Sequence, residues 1–406
     1  MNEETLVPEL RAFAGRMLDV DSHEMMPAQA WTAQLGPDFA PLAESFLTNG
    51  ETNRENINHP NVPDFVADDR DLAEESVWRV KGCSAPGALD VQRRLEVMDA
   101  MGVARQLMFP TAGAYGLMTA ILPEDNAFGF LEKVRGDRRA IGKACVAAYN
   151  QWGIEAAGIS DRIRPVLPVL ADDVTELMEI TRALIASGVR AVWLPSCVPP
   201  GGLSPAHYDL DPFWELLAAN KIAACLHVGA EGQFFETMAW GDARPFENFR
   251  VLGEFRADPW WLSVNHWPTQ NFVQSMLVGG VFERHRELVL GVLETGCMWI
   301  GPMMEHLDMW HGNMRAFGTA ASVVLPEKPS FYAKRNLRIA PFDFEPIGTL
   351  IERHPETVDM LCFASDYPHV EGGKDPANRL YHSIAHLGPE VVEKFFVTNG
   401  EALLPA

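Results

Sequence analysis

The chain has 406 residues, 47% of them hydrophobic, and carries a formal net charge of −22. That length and apolar content suit one large α/β domain, residues 1–406, with a substantial core. The negative charge excludes nucleic acid and anionic membrane as main partners, because both require a basic surface.

Short β-branched or apolar runs alternate with amphipathic stretches, the pattern of a parallel α/β fold. Strands are predicted at residues 17–22, 105–109, 164–170, 191–194, 223–227, 288–294, 336–340 and 361–365. Eight such units predict a (β/α)8 TIM barrel. Between them, Asp90 caps a helix that runs to Met101 and stops at Gly102. Asp172 or Asp173 opens a second helix, with Val174, Leu177, Met178, Leu184 and Ile185 on one face and Gly188 at its end. Asp211-Pro212 starts a third. Residues 268–287 read as a helix interrupted at Gly279-Gly280, and residues 390–399 as one that turns Val391, Phe395 and Phe396 inward.

Two stretches exceed a minimal barrel. Residues 24–89 follow the first strand, and residues 229–265 follow the fifth and carry Phe234, Phe235, Trp240, Phe246, Phe249, Trp260 and Trp261. Long loops after barrel strands lie at the C-terminal face, so both are expected to cap the active site. Their aromatic residues either line a pocket or bury the loop's own small core.

Six cysteines (Cys83, Cys145, Cys197, Cys225, Cys297, Cys362) have no C-x-x-C spacing, which predicts reduced thiols. The N-terminal segment lacks the basic-then-apolar pattern of a signal peptide, and no run reaches the roughly 18 apolar residues of a membrane span. A cytoplasmic protein is expected.

Asp19-Val20-Asp21-Ser22-His23 is the most informative pattern. Strand alternation would put residues 19, 21 and 23 on one face. His227 ends the fifth predicted strand, and Asp366 follows the eighth. In a closed barrel, ligands from strands one, five and eight converge over the mouth. Asp21, His23, His227 and Asp366 are therefore expected to hold one divalent metal. Two imidazoles and two carboxylates suit Zn2+ best and also admit Mn2+ or Fe2+.

The chain resembles the amidohydrolase superfamily, in the branch typified by aminocarboxymuconate-semialdehyde decarboxylase. The likeness runs from Met17 to about Leu404. It rests on Asp19 to His23, Arg94-Leu95-Glu96-Val97-Met98-Asp99-Ala100-Met101-Gly102-Val103 and Tyr149-Asn150-Gln151-Trp152. Leu226-His227-Val228-Gly229, Gly279-Gly280-Val281-Phe282-Glu283-Arg284 and Ala364-Ser365-Asp366-Tyr367-Pro368-His369 complete it. By that resemblance residues 21 and 23 correspond to the family's H-x-H pair, with Asp21 replacing the first histidine. Glu294 stands where the family has a histidine after its sixth strand. The resemblance also implies a homodimer.

Metal chemistry needs a base near the reacting atoms. Asp366 is the expected proton acceptor, Glu294 the next acid/base candidate and His266 the best spare histidine; His306, His311 and His369 rank below them. Trp299 and Tyr149 are candidates for substrate contact or, like Arg284, for packing. Hydrolysis of an amide, ester or C–C bond beside a carbonyl, in a small aromatic or carboxylated substrate, is the leading reading. Non-oxidative decarboxylation of an aromatic or unsaturated acid is the alternative. A non-catalytic small-molecule binder is the reading from another class.

Overall fold

The computed structural model describes residues 6–49, 71–73, 75–123, 131, 134–229, 231–235, 237–246, 259–314 and 325–406. Seven strands form one parallel sheet in sequence order: β1 (Met17–Asp19), β2 (Val103–Met108), β3 (Ile163–Pro168), β4 (Ala191–Trp193), β5 (Ala223–His227), β6 (Leu290–Leu293) and β7 (Leu337–Ile339). Helices fall between them, giving a TIM-barrel-like α/β fold.

The expected eighth strand is a bridging segment instead. Leu361 pairs with Ile339 on β7, and Tyr367 pairs with Ser22 just past β1. The Cys362 amide donates to the Ile339 carbonyl (2.9 Å), and the Asp366 amide to that of Asp21 (2.8 Å). Between these, the Phe363 amide is taken by the Phe395 carbonyl (3.0 Å). The Ser365 amide goes to the Asp19 carboxylate (2.9 Å). Donors spent on a helix and on a side chain interrupt the ladder, although the segment still joins β7 to β1.

β1 also departs from strict alternation. It ends at Asp19, and the Asp21 amide turns back onto the Asp19 carboxylate. Asp19 accepts from Gln106 (2.7 Å) and the Ser365 hydroxyl (2.6 Å), so it does not share the face of Asp21 and His23.

Alternate strand residues fill the inside of the sheet. Leu107, Phe109, Val166, Trp193, Cys225, Leu293 and Ala364 belong to one buried cluster, which Leu403 and Leu404 join from the C-terminus. Their neighbours Met108, Leu167, Val192, Leu226, Val292, Ile339 and Phe363 pack with the helices.

The helix signals act as their chemistry requires. Asp90 accepts the Gln92 and Arg93 amides, and its helix (Val91–Met101) stops at a left-handed Gly102 (φ 75°). Asp173 caps Val174–Ala186 through the Glu176 amide. Asp211 opens Asp211–Ala219 but has no cap bond; its carboxylate instead accepts from Arg284 (3.0 Å), which locates that arginine in packing. Gly280 (φ 71°) splits the predicted 268–287 helix into Trp267–Val278 and Val281–Arg284. In the last one, Phe395 and Phe396 are buried and Val391 is half-buried.

All six cysteines are free thiols, and burial pushes Cys145 and Cys362 up to about 12. No helix among the described residues is long and apolar enough to cross a membrane. The first long loop contains helices Ala28–Leu35 and Ala40–Asn49. Its residues 50–70 and 74 lie outside the described residues, as do 230, 236 and 247–258 (with Phe249) of the second.

Candidate metal centre and cleft

Five donor atoms meet beyond the ends of β1, β5, β6 and the 361–367 segment. His23 Nε2 lies 3.6 Å from Asp21 Oδ1, 3.4 Å from Asp366 Oδ1 and 3.6 Å from Glu294 Oε2. His227 Nε2 lies 3.5 Å from Asp21 Oδ1 and 2.9 Å from Glu294 Oε2. Each of these residues is no more than 8% exposed. Yet Asp21 Oδ1, both ring nitrogens of His23, His227 Nε2 and both Asp366 oxygens have no aligned hydrogen-bonding partner. Buried polar atoms are normally paired. Donors that approach one another without aligning are aimed at a common point, the arrangement a divalent cation requires. The donor set fits such an ion.

Neighbouring residues hold the donors in place. His227 Nδ1 donates to the Val228 carbonyl (2.9 Å), so Nε2 is the nitrogen available to a cation. The His23 amide bonds the Tyr367 carbonyl (2.7 Å), and its own carbonyl accepts from Arg94 (2.6 Å). Arg94 is fully buried, also bonds the Gly87 carbonyl, and lies 4.9 Å from the Tyr367 ring. Glu294 and Asp366 both have left-handed backbone, each at φ 50°. Such conformations are costly for residues other than glycine and concentrate at functional sites. Beyond Glu294, the Glu345 carboxylate accepts the amides of Cys297 (3.0 Å) and Phe342 (2.9 Å), tying the loops after β6 and β7 together.

Electrostatically the centre favours positive charge. Burial alone would lower His227, but Asp21 and Glu294 hold it well above the ordinary histidine value. Burial tends to raise Glu294, and the two histidines overturn that and pull it down. Asp366 is raised well above the carboxylate range by burial and then by Glu294, Glu371 and Asp21. Burial lowers Lys81 to about 8 against the pull of Asp366, Glu371 and Asp343.

A cleft opens toward solvent from His23, His227 and Glu294, while Asp21 and Asp366 line a smaller pocket that shares Glu294 and Glu371 with it. Phe46, Pro110, Ala114, Tyr115, Met118 and Trp261 form the cleft's apolar wall. His23, His227, Glu294, His369, Glu231 and Glu371 supply its polar floor. Its lining contains no lysine or arginine among the described residues. The Thr111 hydroxyl donates to the Glu24 carbonyl (2.5 Å) and so accepts from His369 Nε2 (2.9 Å). His369 Nδ1 therefore faces Asp366 Oδ1 and Glu371 Oε1, both 3.6 Å away, with a free lone pair.

Of the residues expected from sequence, Asp21, His23, His227, Asp366 and Glu294 come together. His266 and Trp299 stack on each other (centroids 6.0 Å apart) and do not line the cleft. Tyr149 is fully buried against Trp152, with no cleft contact. Sequence reasoning missed Glu231, Glu371 and Lys81 and ranked His369 low. The run Asp366-Tyr367-Pro368-His369-Val370-Glu371 carries three ligand-capable residues in six and was the available signal. The second loop's aromatics do both expected jobs: Trp261 lines the cleft, while Phe235 packs on Trp260 (5.3 Å) and Trp261 (6.3 Å).

Among solved structures, an amidohydrolase from Mycobacterium avium subsp. paratuberculosis K-10 is similar over 96% of this chain and 99% of its own, at 22% identity and a TM-score of 0.69. A 2,6-dihydroxybenzoate decarboxylase from Rhizobium covers 84% of this chain and 95% of its own, at 18% identity and a TM-score of 0.53. The 5-carboxyvanillate decarboxylase of Novosphingobium aromaticivorans DSM 12444 covers 96% of each chain, at 15% identity and a TM-score of 0.56. At these identities the likeness establishes a common fold. No curated protein sequence matches the chain. The amidohydrolase family profile matches residues 106–406, which include His227, Glu294 and Asp366, and the chain belongs to that family.

Proposed function

We propose that this protein is a metal-dependent carboxy-lyase that removes CO2 from a small aromatic acid, with Asp21, His23, His227 and Asp366 holding one divalent cation. The observation that carries the reading is the set of unpaired buried donors, of which His23 and His227 lie at the floor of an aromatic-walled cleft and Asp21 and Asp366 in the pocket beside it. Support comes from fold relatives that are decarboxylases, one of them complexed with manganese and 4-hydroxy-3-methoxy-5-nitrobenzoic acid. Hydrolysis, the leading reading of the sequence, has less support from these relatives.

A bound divalent ion supplies positive charge that fixes a substrate carboxylate. Phe46, Tyr115, Met118 and Trp261 clasp the ring and exclude water. Phe46 from the first long loop and Trp261 from the second both line the cleft. Asp366 has Oδ1 toward His23 and Oδ2 unpaired, so one carboxyl group can ligate through the first oxygen and keep a proton on the second. That proton passes to the ring carbon as its bond to the carboxylate breaks and CO2 leaves.

Metal-loaded protein incubated with hydroxybenzoic and related aromatic acids is expected to release CO2. Asp366→Asn should lower kcat by at least about 100-fold. Hydrolysis of an amide or ester with incorporation of labelled water oxygen, and no CO2 from any acid, would overturn the carboxy-lyase reading.

A further inference from the structure

We propose that Glu294 is itself a metal ligand, a fifth protein donor through Oε2, rather than a free acid/base. This rests on the metal-dependent reading of the same centre.

The spacing carries the argument. Donors about 2.1 Å from one cation lie roughly 3.0 Å apart at right angles and roughly 3.4 Å apart at tetrahedral angles. Glu294 Oε2 lies 2.9 Å from His227 Nε2 and 3.6 Å from His23 Nε2, within the same range as the Asp21 and Asp366 contacts. At 2.9 Å the Glu294 and His227 atoms are close enough for a hydrogen bond, yet they are not aligned for one. Glu294, His23, Asp366 and His369 have ligand atoms that all lie within 4.8 Å of one another, and Asp21, His23 and His227 form a second such group that shares His23.

The backbone supports the same role. Glu294 and Asp366 both have left-handed backbone at φ 50°, and their carboxylates, one from the end of β6 and one from the 361–367 segment, come within 4.8 Å of each other. Two imidazoles and three carboxylates form an oxygen-rich set. Such a set favours a five- or six-coordinate hard cation, so it moves the expected preference from Zn2+ toward Mn2+.

The test uses full-length protein stripped by chelator, then titrated with Mn2+ and, as a spectroscopic probe, Co2+. Wild type is expected to bind one ion, with the weak visible absorption of five- or six-coordinate Co2+. Glu294→Gln should weaken Mn2+ binding by more than roughly tenfold. It should also strengthen the Co2+ band as coordination falls toward four. If the glutamine variant fails to fold, Glu294→Asn, which tolerates left-handed backbone, serves in its place. An unchanged Co2+ spectrum overturns the proposal, even with weakened binding, because loss of a nearby charge alone would do that. Wild-type protein that binds no divalent ion, with His227→Ala indistinguishable from it, would sink the metal reading and this proposal together.

Discussion

Both oxygens of Glu231 accept the Gly229 amide (2.8 and 3.0 Å), and the side chain is 2% exposed at the cleft floor. Burial raises its pKa to about 7, against the pull of the Gly229 amide. In the unfolded chain it titrates near the ordinary glutamate value. The native state therefore holds the extra proton between those two values, and stability falls as pH rises through that window. The full difference amounts to roughly 3 kcal/mol. Glu231→Gln keeps an acceptor for Gly229 and removes the ionisation. In metal-free protein, urea unfolding should show the variant gaining stability over wild type between pH 5 and pH 8. A constant difference across that range would show that Glu231 is not held protonated. Residues of this kind are poorly legible in sequence, since Glu231 matters through a fold-made burial that no spacing encodes. Asp21, His23, His227 and Asp366 were legible because strand ends in a barrel share one face. Glu294 was legible as a position, through the resemblance, but its backbone conformation was not.

Helices Ala112–Ile121 and Arg138–Ala157 cross where glycine permits it. A Cβ on Gly142 would lie 2.5 Å from the Gly116 carbonyl oxygen and 2.6 Å from the Ala120 nitrogen. Two effects oppose each other in Gly142→Ala. Helix propensity favours alanine by about 1 kcal/mol. The obstructing atoms are backbone, however, so neither can rotate away, and forced overpacking costs about 1–3 kcal/mol. The clash should win, with net destabilisation on the order of 1–2 kcal/mol in chemical denaturation; a stabilised variant would show that the helices separate freely. Element positions followed from periodicity and caps, as Asp90, Gly102 and Asp173 illustrate. Residues 361–367 did not, because their apolar run reads as a strand while Asp19 and Phe395 take the amides a strand would share. Gly279-Gly280 shows the converse: the sequence marked a break, and Gly280 makes it.

The proposed cation would join parts of the chain that are far apart in sequence. Asp21 follows the first strand, and Asp366 lies in the segment that links β7 back to β1 through the Asp366 amide and the Asp21 carbonyl. Without a cation, four carboxylates (the buried Asp21, Glu294 and Asp366 and the half-buried Glu371) crowd one region, answered by Lys81 and by His227, whose pKa Asp21 and Glu294 hold up. An ion that binds only the folded centre must stabilise the whole molecule by mass action, by about 2.7 kcal/mol at a hundredfold excess over Kd. For a chain of this length that corresponds to a rise in Tm of roughly 3 °C. Stripped protein titrated with Mn2+ should show Tm climbing with the logarithm of free ion once Kd is exceeded. His227→Ala should flatten that slope, because it removes a donor from the centre while leaving exposed carboxylates, and any weak surface binding by this −22 chain, in place. An equal slope in both proteins would assign the stabilisation to diffuse charge screening rather than to the cluster at the strand ends.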